Sequence, residues 1–276
     1  MNLVVGFAIT LAVAALAVTA MLLVRRYAPE GSYFTDGDRA SGVFGVIATG
    51  FSVLLGFIVF LAFTSYDQSR SGAESEARLV VQQVETAQFF SPSASGTLTG
   101  QLVCYGRFVV HQEWPQMRAG TGADSLNPWN VAMFRTLKTV QPQSDTEQSA
   151  YDHWIEQTTD REQARQDRVH SASGVIPPSL WIVLLFISAI VFAYMLCFAD
   201  PGEGVVSQAM LMGAVISVIT VLLLLLVTLN RPYQSGVGGL KPDAMERSLD
   251  LVSKALTAID ARVAIPCDAN GVKTGS

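Results

Sequence analysis

Four charge-free apolar runs lie along the chain in two pairs: Leu3–Val24 and Gly42–Phe63 early, Ile176–Phe198 and Val205–Leu229 late. None of them contains Asp, Glu, Lys, Arg or His. At ~1.5 Å rise per residue, about 20 apolar residues in a helix cross a bilayer core of ~30 Å. Each run therefore predicts a spanning helix. The pattern predicts an all-α integral membrane protein with four transmembrane helices and a helical polar domain inserted between spans two and three. The expected organisation is a transmembrane hairpin over 1–66, an extramembrane helical domain over 67–175, a second hairpin over 176–230, and an amphipathic helix with its tail over 231–276. The first run has a cleavage-like Ala17-Val18-Thr19-Ala20. It is long for a secretory apolar core, however, and Arg25-Arg26 follows it instead of preceding it, so it reads as a retained helix.

The polar stretches are helical too. Past Asp67 the second span is expected to continue, with Ala73, Ala77, Val80, Val84 and Ala87 at helical spacing. The cluster Ser91-Pro92-Ser93-Ala94-Ser95-Gly96 reads as a turn that breaks it. Leu102, Tyr105, Val109 and Trp114 then share a face. Asn127-Pro128 predicts an N-cap with proline in the first helical position, opening a short helix around Trp129–Leu137. Ser144-Asp145-Thr146-Glu147 is a capping box for a long polar helix running toward Arg168. Pro177-Pro178 suits the first turn of the third span. After the fourth span, Pro242–Val263 reads as one amphipathic helix with Met245, Leu249, Val252, Leu256 and Ile259 in a stripe. No segment alternates like a strand.

Charge narrows the function. Eighteen basic against 23 acidic side chains, with no basic run, give no footprint for nucleic acid. Arg70, Arg78, Arg161, Arg165, Arg168, Arg231, Lys241 and Arg247 fall on the side of the insert, against Arg25, Arg26 and Arg39 on the other. The positive-inside rule then favours a cytoplasmic insert with cytoplasmic termini, although Arg25-Arg26 pulls the other way. The three cysteines are Cys104, Cys197 and Cys267. Cys104 and Cys267 share a side and can pair where that side is oxidising; two free thiols are the simpler reading. His111 and Glu113 stand two apart and point in different directions on a helix. His153 and Glu156 have i, i+3 spacing but read as a solvated face, so no metal, cofactor or catalytic group is expected. There is no phosphate loop, nucleophile elbow or paired-cysteine zinc motif, which argues against an enzyme. The spans also lack the titratable groups that pumps and proton-coupled transporters use, leaving a passive path gated by dewetting.

The second span is the most patterned. Ala48, Ser52 and Gly56 form a small-residue stripe suited to close helix packing. Beside it run Thr49, Val53, Phe57 and Phe60, candidates for an apolar neck if several copies surround an axis. Phenylalanine ring edges carry partial positive charge, which favours a passing anion. The plainer alternative is that Phe57 and Phe60 pack against helices or lipid.

Leu55-Gly56-Phe57, followed by Tyr66-Asp67, Arg70, Glu74 and Ala77, resembles the bestrophin pore helix where it leaves the membrane. Tyr105…Glu113-Trp114-Pro115, Pro177-Pro178-x-Leu180-Trp181 and Asn230-Arg231-Pro232-Tyr233 are similar to the bacterial bestrophin-like family, the DUF4239 group. The resemblance implies a bacterial inner-membrane homopentamer around a central pore passing anions such as chloride. Thr49, Val53 and Phe57 take the neck positions, Thr49 being smaller than the bestrophin residue there. Animal bestrophins bind calcium partly through a C-terminal acidic cluster; here Asp243, Glu246, Asp250 and Asp260 are scattered, so the resemblance does not extend to calcium gating. Two functions follow as expectations: a passive, anion-selective channel, or a non-conducting membrane scaffold or stress-response component whose helical domain binds a partner protein.

Overall fold

A computed structural model describes residues 2–121 and 126–274. In chain order the helices are α1 (Leu3–Tyr27), α2 (Gly37–Ala87), α3 (Pro92–Phe108), a π-helical turn (Val109–Glu113), α4 (Trp114–Arg118), α5 (Pro128–Leu137), α6 (Asp145–Val169), α7 (Pro178–Cys197), α8 (Val205–Asn230) and α9 (Asp243–Ala258). Four of them, α1, α2, α7 and α8, are long and apolar enough to cross a membrane. Among the described residues there is no strand, only one isolated bridge between Cys267 and Lys273. The chain divides into two compact units. One is built from Met1–Thr64, Gly174–Asn230 and Ser235–Gly238, the other from Ser65–Ser173, Arg231–Gln234 and Gly239–Ser276.

In the apolar unit α1 packs on α8 through Ala17, Met21, Met212 and Ile216. Phe51, Leu55, Ile58 and Ala62, at spacings of four, three and four, turn one face of α2 onto Leu184 and Val191 of α7 and Leu226 of α8. Both short connections meet at one end of this unit. Arg25 donates to the Gln208 side chain (2.7 Å) and to the carbonyls of Pro201 (2.9 Å) and Glu203 (2.5 Å). Phe34, Phe44, Tyr194 and Phe198 form an aromatic cluster in the same unit, Phe34 and Phe44 each stacked on Tyr194. At the start of α7, Pro177 and Pro178 have no N–H to satisfy, and the N–H groups of Val175 and Ile176 are taken by the Asn230 side-chain oxygen at 2.8 and 2.9 Å.

The polar unit has its own core. Ala73, Ala77, Val80, Val84 and Ala87 of α2 pack with Leu98, Leu102, Tyr105, Val109, Trp114 and Trp154. α2 and α6 approach until a Cβ on Gly72 would stand 2.6 Å from the Arg168 backbone nitrogen and 2.7 Å from the Ala164 carbonyl. Only glycine allows that crossing. The caps form as their residues dictate: the Asn127 side chain accepts from Trp129 N–H, and the Ser144 hydroxyl accepts from Glu147 N–H at 3.2 Å. In the capping box the Glu147 carboxylate reaches back to Gln143 N–H instead of Ser144.

Three expectations are corrected. Ser91–Gly96 is not a turn throughout: proline's fixed φ suits a first helical position, so α3 begins at Pro92 and Ser91 alone occupies the cap. The C-terminal helix stops at Ala258, where Asp260 takes a left-handed φ of 51° and Ile259 is left exposed; the chain beyond is irregular, with a turn at Asp268–Gly271. Cys104 and Cys267 are not free thiols but a disulfide, with Cα atoms 5.8 Å apart, because α3 and the C-terminal segment lie side by side in the polar unit.

Candidate functional site

Two features stand apart from ordinary packing: an exposed apolar stripe on α2 and a buried ionic network in the polar unit.

The inner face of α2 is fixed by Phe51, Leu55, Ile58 and Ala62, so helical geometry throws Thr49, Val53, Phe57 and Phe60 to the opposite face. Val53, Phe57 and Phe60 are 68%, 60% and 63% exposed, and Thr49 is exposed as well. All four sequence-predicted neck residues thus share one uncovered face of the helix. Ala48, Ser52 and Gly56 line an open groove of about 440 Å³ together with Val215, Val218 and Leu222 of α8, and a Cβ on Gly56 would meet nothing within 4 Å. The Ser52 hydroxyl is returned to the Ala48 carbonyl at 2.8 Å, leaving the groove apolar.

In the polar unit Arg168 is fully buried between two fully buried carboxylates. Its guanidinium donates to both oxygens of Glu76 and, at 2.5 Å, to Glu113. Arg165 donates to Glu113 at 3.2 Å, and so does the Asn127 amide. Tyr105 donates to Glu76 at 2.5 Å, and the Arg161 guanidinium lies 4.6 Å from the centre of the Tyr105 ring while donating to Gln83 and Asn130. The Tyr233 hydroxyl donates to the Arg168 carbonyl, and the Tyr233 ring sits edge-on to Trp114. The π turn is what aims Glu113 inward while His111 stays exposed. Pro115 has no N–H for the His111 carbonyl and its ring crowds that group, so the helix widens just before it.

Burial and charge act against each other here. Burial disfavours the Arg168 cation, but Glu76 and Glu113 outweigh it and hold its pKa well above the ordinary arginine value. Among the described residues no carboxylate hydrogen-bonds to Arg161, and burial lowers its pKa. Burial, reinforced by Glu76, pushes the Tyr105 phenol well up, and burial pushes Tyr233 up to about 12. A phenol whose pKa rises on folding contributes stability that is complete below its ordinary value of 10 and disappears as pH climbs through the folded value. The polar unit is therefore expected to lose stability between pH 10 and about 12. Denaturant unfolding followed by near-ultraviolet circular dichroism measures this, and Tyr233→Phe should flatten the alkaline slope. An unchanged slope would remove Tyr233 from the account.

The remaining motif residues are dispersed. Asp67 is exposed and Tyr66 half-buried at the start of the polar stretch of α2; Pro115 sits in the first turn of α4 and Pro177-Pro178 at the start of α7. Trp181 packs on the apolar unit's core, and the Pro232 carbonyl accepts from Leu240 N–H at 2.7 Å. Arg70 and Glu74 form an exposed i, i+4 pair, and His153 and Glu156 an exposed i, i+3 pair. Among the described residues no cluster of His, Cys, Asp and Glu is arranged to hold a metal ion. Sequence reasoning missed Glu76, Gln83 and the role of the three α6 arginines. Their signal was a seven-residue stripe, Ser69–Glu76–Gln83, on the same face as Ala73, Ala77 and Val80.

Comparison with known proteins agrees with this architecture. Two solved structures of variants of a bacterial bestrophin homolog from Klebsiella pneumoniae share the fold, each at 12% sequence identity. One has a TM-score of 0.68 and covers 92% of this chain and 98% of its own; the other has 0.67 and covers 94% and 99%. No curated protein matches the sequence. A sequence model of the bestrophin-like domain matches residues 11–245, so this membrane protein belongs to the bestrophin-like family.

Proposed function

We propose that the chain is the subunit of a passive ion channel, an oligomer in which α2 of each copy faces a shared axis. The carrying observation is the uncovered stripe of Thr49, Val53, Phe57 and Phe60, set opposite the face that α2 buries in its own unit. Around an axis such a stripe makes a narrow apolar neck that holds water weakly and closes by dewetting. Phenylalanine edges turned toward the axis favour anions, and an anion path through a pentamer in a bacterial inner membrane is the form we assign to it. The open groove at Ala48, Ser52 and Gly56 suits a helix of the next copy, since small residues there permit close approach. Family membership supports a channel over an enzyme.

The test is current through planar bilayers under an asymmetric KCl gradient, for the wild type and Phe57→Ala. Phe57 is mostly exposed within one chain, so its removal should spare the fold and enlarge the neck. We expect a reversal potential near the chloride equilibrium value and a current several-fold larger in the variant. A potassium-like reversal would overturn the selectivity. Silence of both proteins at verified insertion would overturn the channel and favour the scaffold.

A further inference from the structure

We infer that the polar unit faces the oxidising, extracytoplasmic side of the membrane, with both short hairpin connections in the cytoplasm. The first observation is the disulfide. The polar unit holds two cysteines, Cys104 and Cys267, and one bond consumes both, leaving Cys197 of α7 as the free thiol of the chain. The partners are 163 residues apart in sequence, and two spans lie between them, so both belong to one side of the membrane. Cys104 is wholly buried and Cys267 nearly so. Forming the bond removes two protons and two electrons from the two thiols. A disulfide oxidant of the compartment accepts them and leaves as a dithiol. Such oxidants act outside the cytoplasm, where thiols are otherwise kept reduced.

The second observation is where the basic residues lie. Counted together, those beside the insert outnumber those of the hairpin connections and place the insert in the cytoplasm. Arg70, Arg78, Arg161, Arg165 and Arg168, however, lie in a 109-residue segment, Ser65–Ser173, long enough to be translocated largely regardless of its charge. What remains is Arg231, Lys241 and Arg247 after the last span against Arg25, Arg26 and Arg39 in the first connection, three on each side. The count no longer prefers a cytoplasmic insert. The pair directly after the first span then weighs most, because the first helix usually sets orientation, and it retains the first connection in the cytoplasm. Acidic neighbours such as Asp36, Asp38 and Asp200 do not cancel this, since carboxylates contribute little to topology. Charge and cysteine chemistry now agree.

Full-length chains fused at the C-terminus to alkaline phosphatase, active only outside the cytoplasm, or to green fluorescent protein, fluorescent only inside it, test the orientation in a Gram-negative host. We expect phosphatase activity without fluorescence. On the unfused protein, denaturation in acid followed by a polyethylene-glycol maleimide counts thiols by gel shift. One adduct is expected before reduction and three after. Bright fluorescence, or three adducts on unreduced protein, would overturn the inference. Because neither readout depends on conduction, a silent channel leaves this result standing, and a cytoplasmic polar unit leaves the channel standing.

Discussion

Arg168→Met is expected to lower the melting temperature in detergent by 10 °C or more, roughly the effect of losing 3–5 kcal/mol in a domain of this size. The substitution keeps most of the volume and deletes the charge. Glu76 and Glu113 would remain fully buried as two carboxylates without the guanidinium they share. Arg165 still reaches Glu113, and Tyr105 still donates to Glu76, but neither neutralises the pair. Removing one partner of a buried ion pair costs far more than the pair itself contributes. The sign can therefore be tested twice: adding Glu76→Gln and Glu113→Gln to Arg168→Met should recover more than half of the loss. Trp114, whose ring centre lies 5.6 Å from the Arg168 guanidinium, gives a fluorescence probe for both. A fall of less than about 3 °C in the single variant would show that the network contributes little to stability.

The difference between what could and could not be read from sequence follows from the range of each signal. The spans are legible because a charge-free run of this length has few other physical solutions, and Asn127, Ser144 and Pro177-Pro178 mark helix starts through chemistry contained within four residues. The exposed stripe on α2 is legible because periodicity alone puts Thr49, Val53, Phe57 and Phe60 on one face. The ionic network is not. The buried positions of α6 are Ala150, Trp154, Gln157, Arg161, Ala164 and Arg168, a regular three-and-four spacing whose polar members look like solvent-facing residues until their partners on α2 and the π turn are known. Glu76 is hidden the same way between Glu74, which is exposed, and Arg78, also exposed. No local pattern pairs Cys104 with Cys267, because the contact is made by tertiary structure across two intervening spans.

Removing that bond should release the end of the chain. Beyond Ala258 the segment has little regular structure apart from a turn at Asp268–Gly271, and side chains tie it down singly: Trp129 donates its indole N–H to the Gly271 carbonyl at 2.7 Å, Arg107 donates to the Asp268 carbonyl at 3.2 Å, and Gln112 donates to the Asn270 carbonyl at 3.5 Å. Gly271, with φ of +76°, lies so close to α3 that a Cβ would stand 2.3 Å from the Phe108 nitrogen. Each hydrogen bond adds only about 1 kcal/mol net, whereas ordering each residue costs about 1–2 kcal/mol. Without a covalent tie those contacts do not hold the segment well. Cys104→Ala with Cys267→Ala is therefore expected to cost about 2–5 kcal/mol, the usual range for losing a native disulfide. It should also open a tryptic site at Arg262, already at the surface of the segment. Dithiothreitol on the wild type should reproduce both effects, which separates the bond from the side chains replaced. If the double variant melts with the wild type and resists trypsin equally, the docked segment is held by its noncovalent contacts, the close approach of Gly271 to α3 among them. The same proteolysis in a Gly271→Ala variant with the disulfide intact would then have to show the release that the missing bond did not.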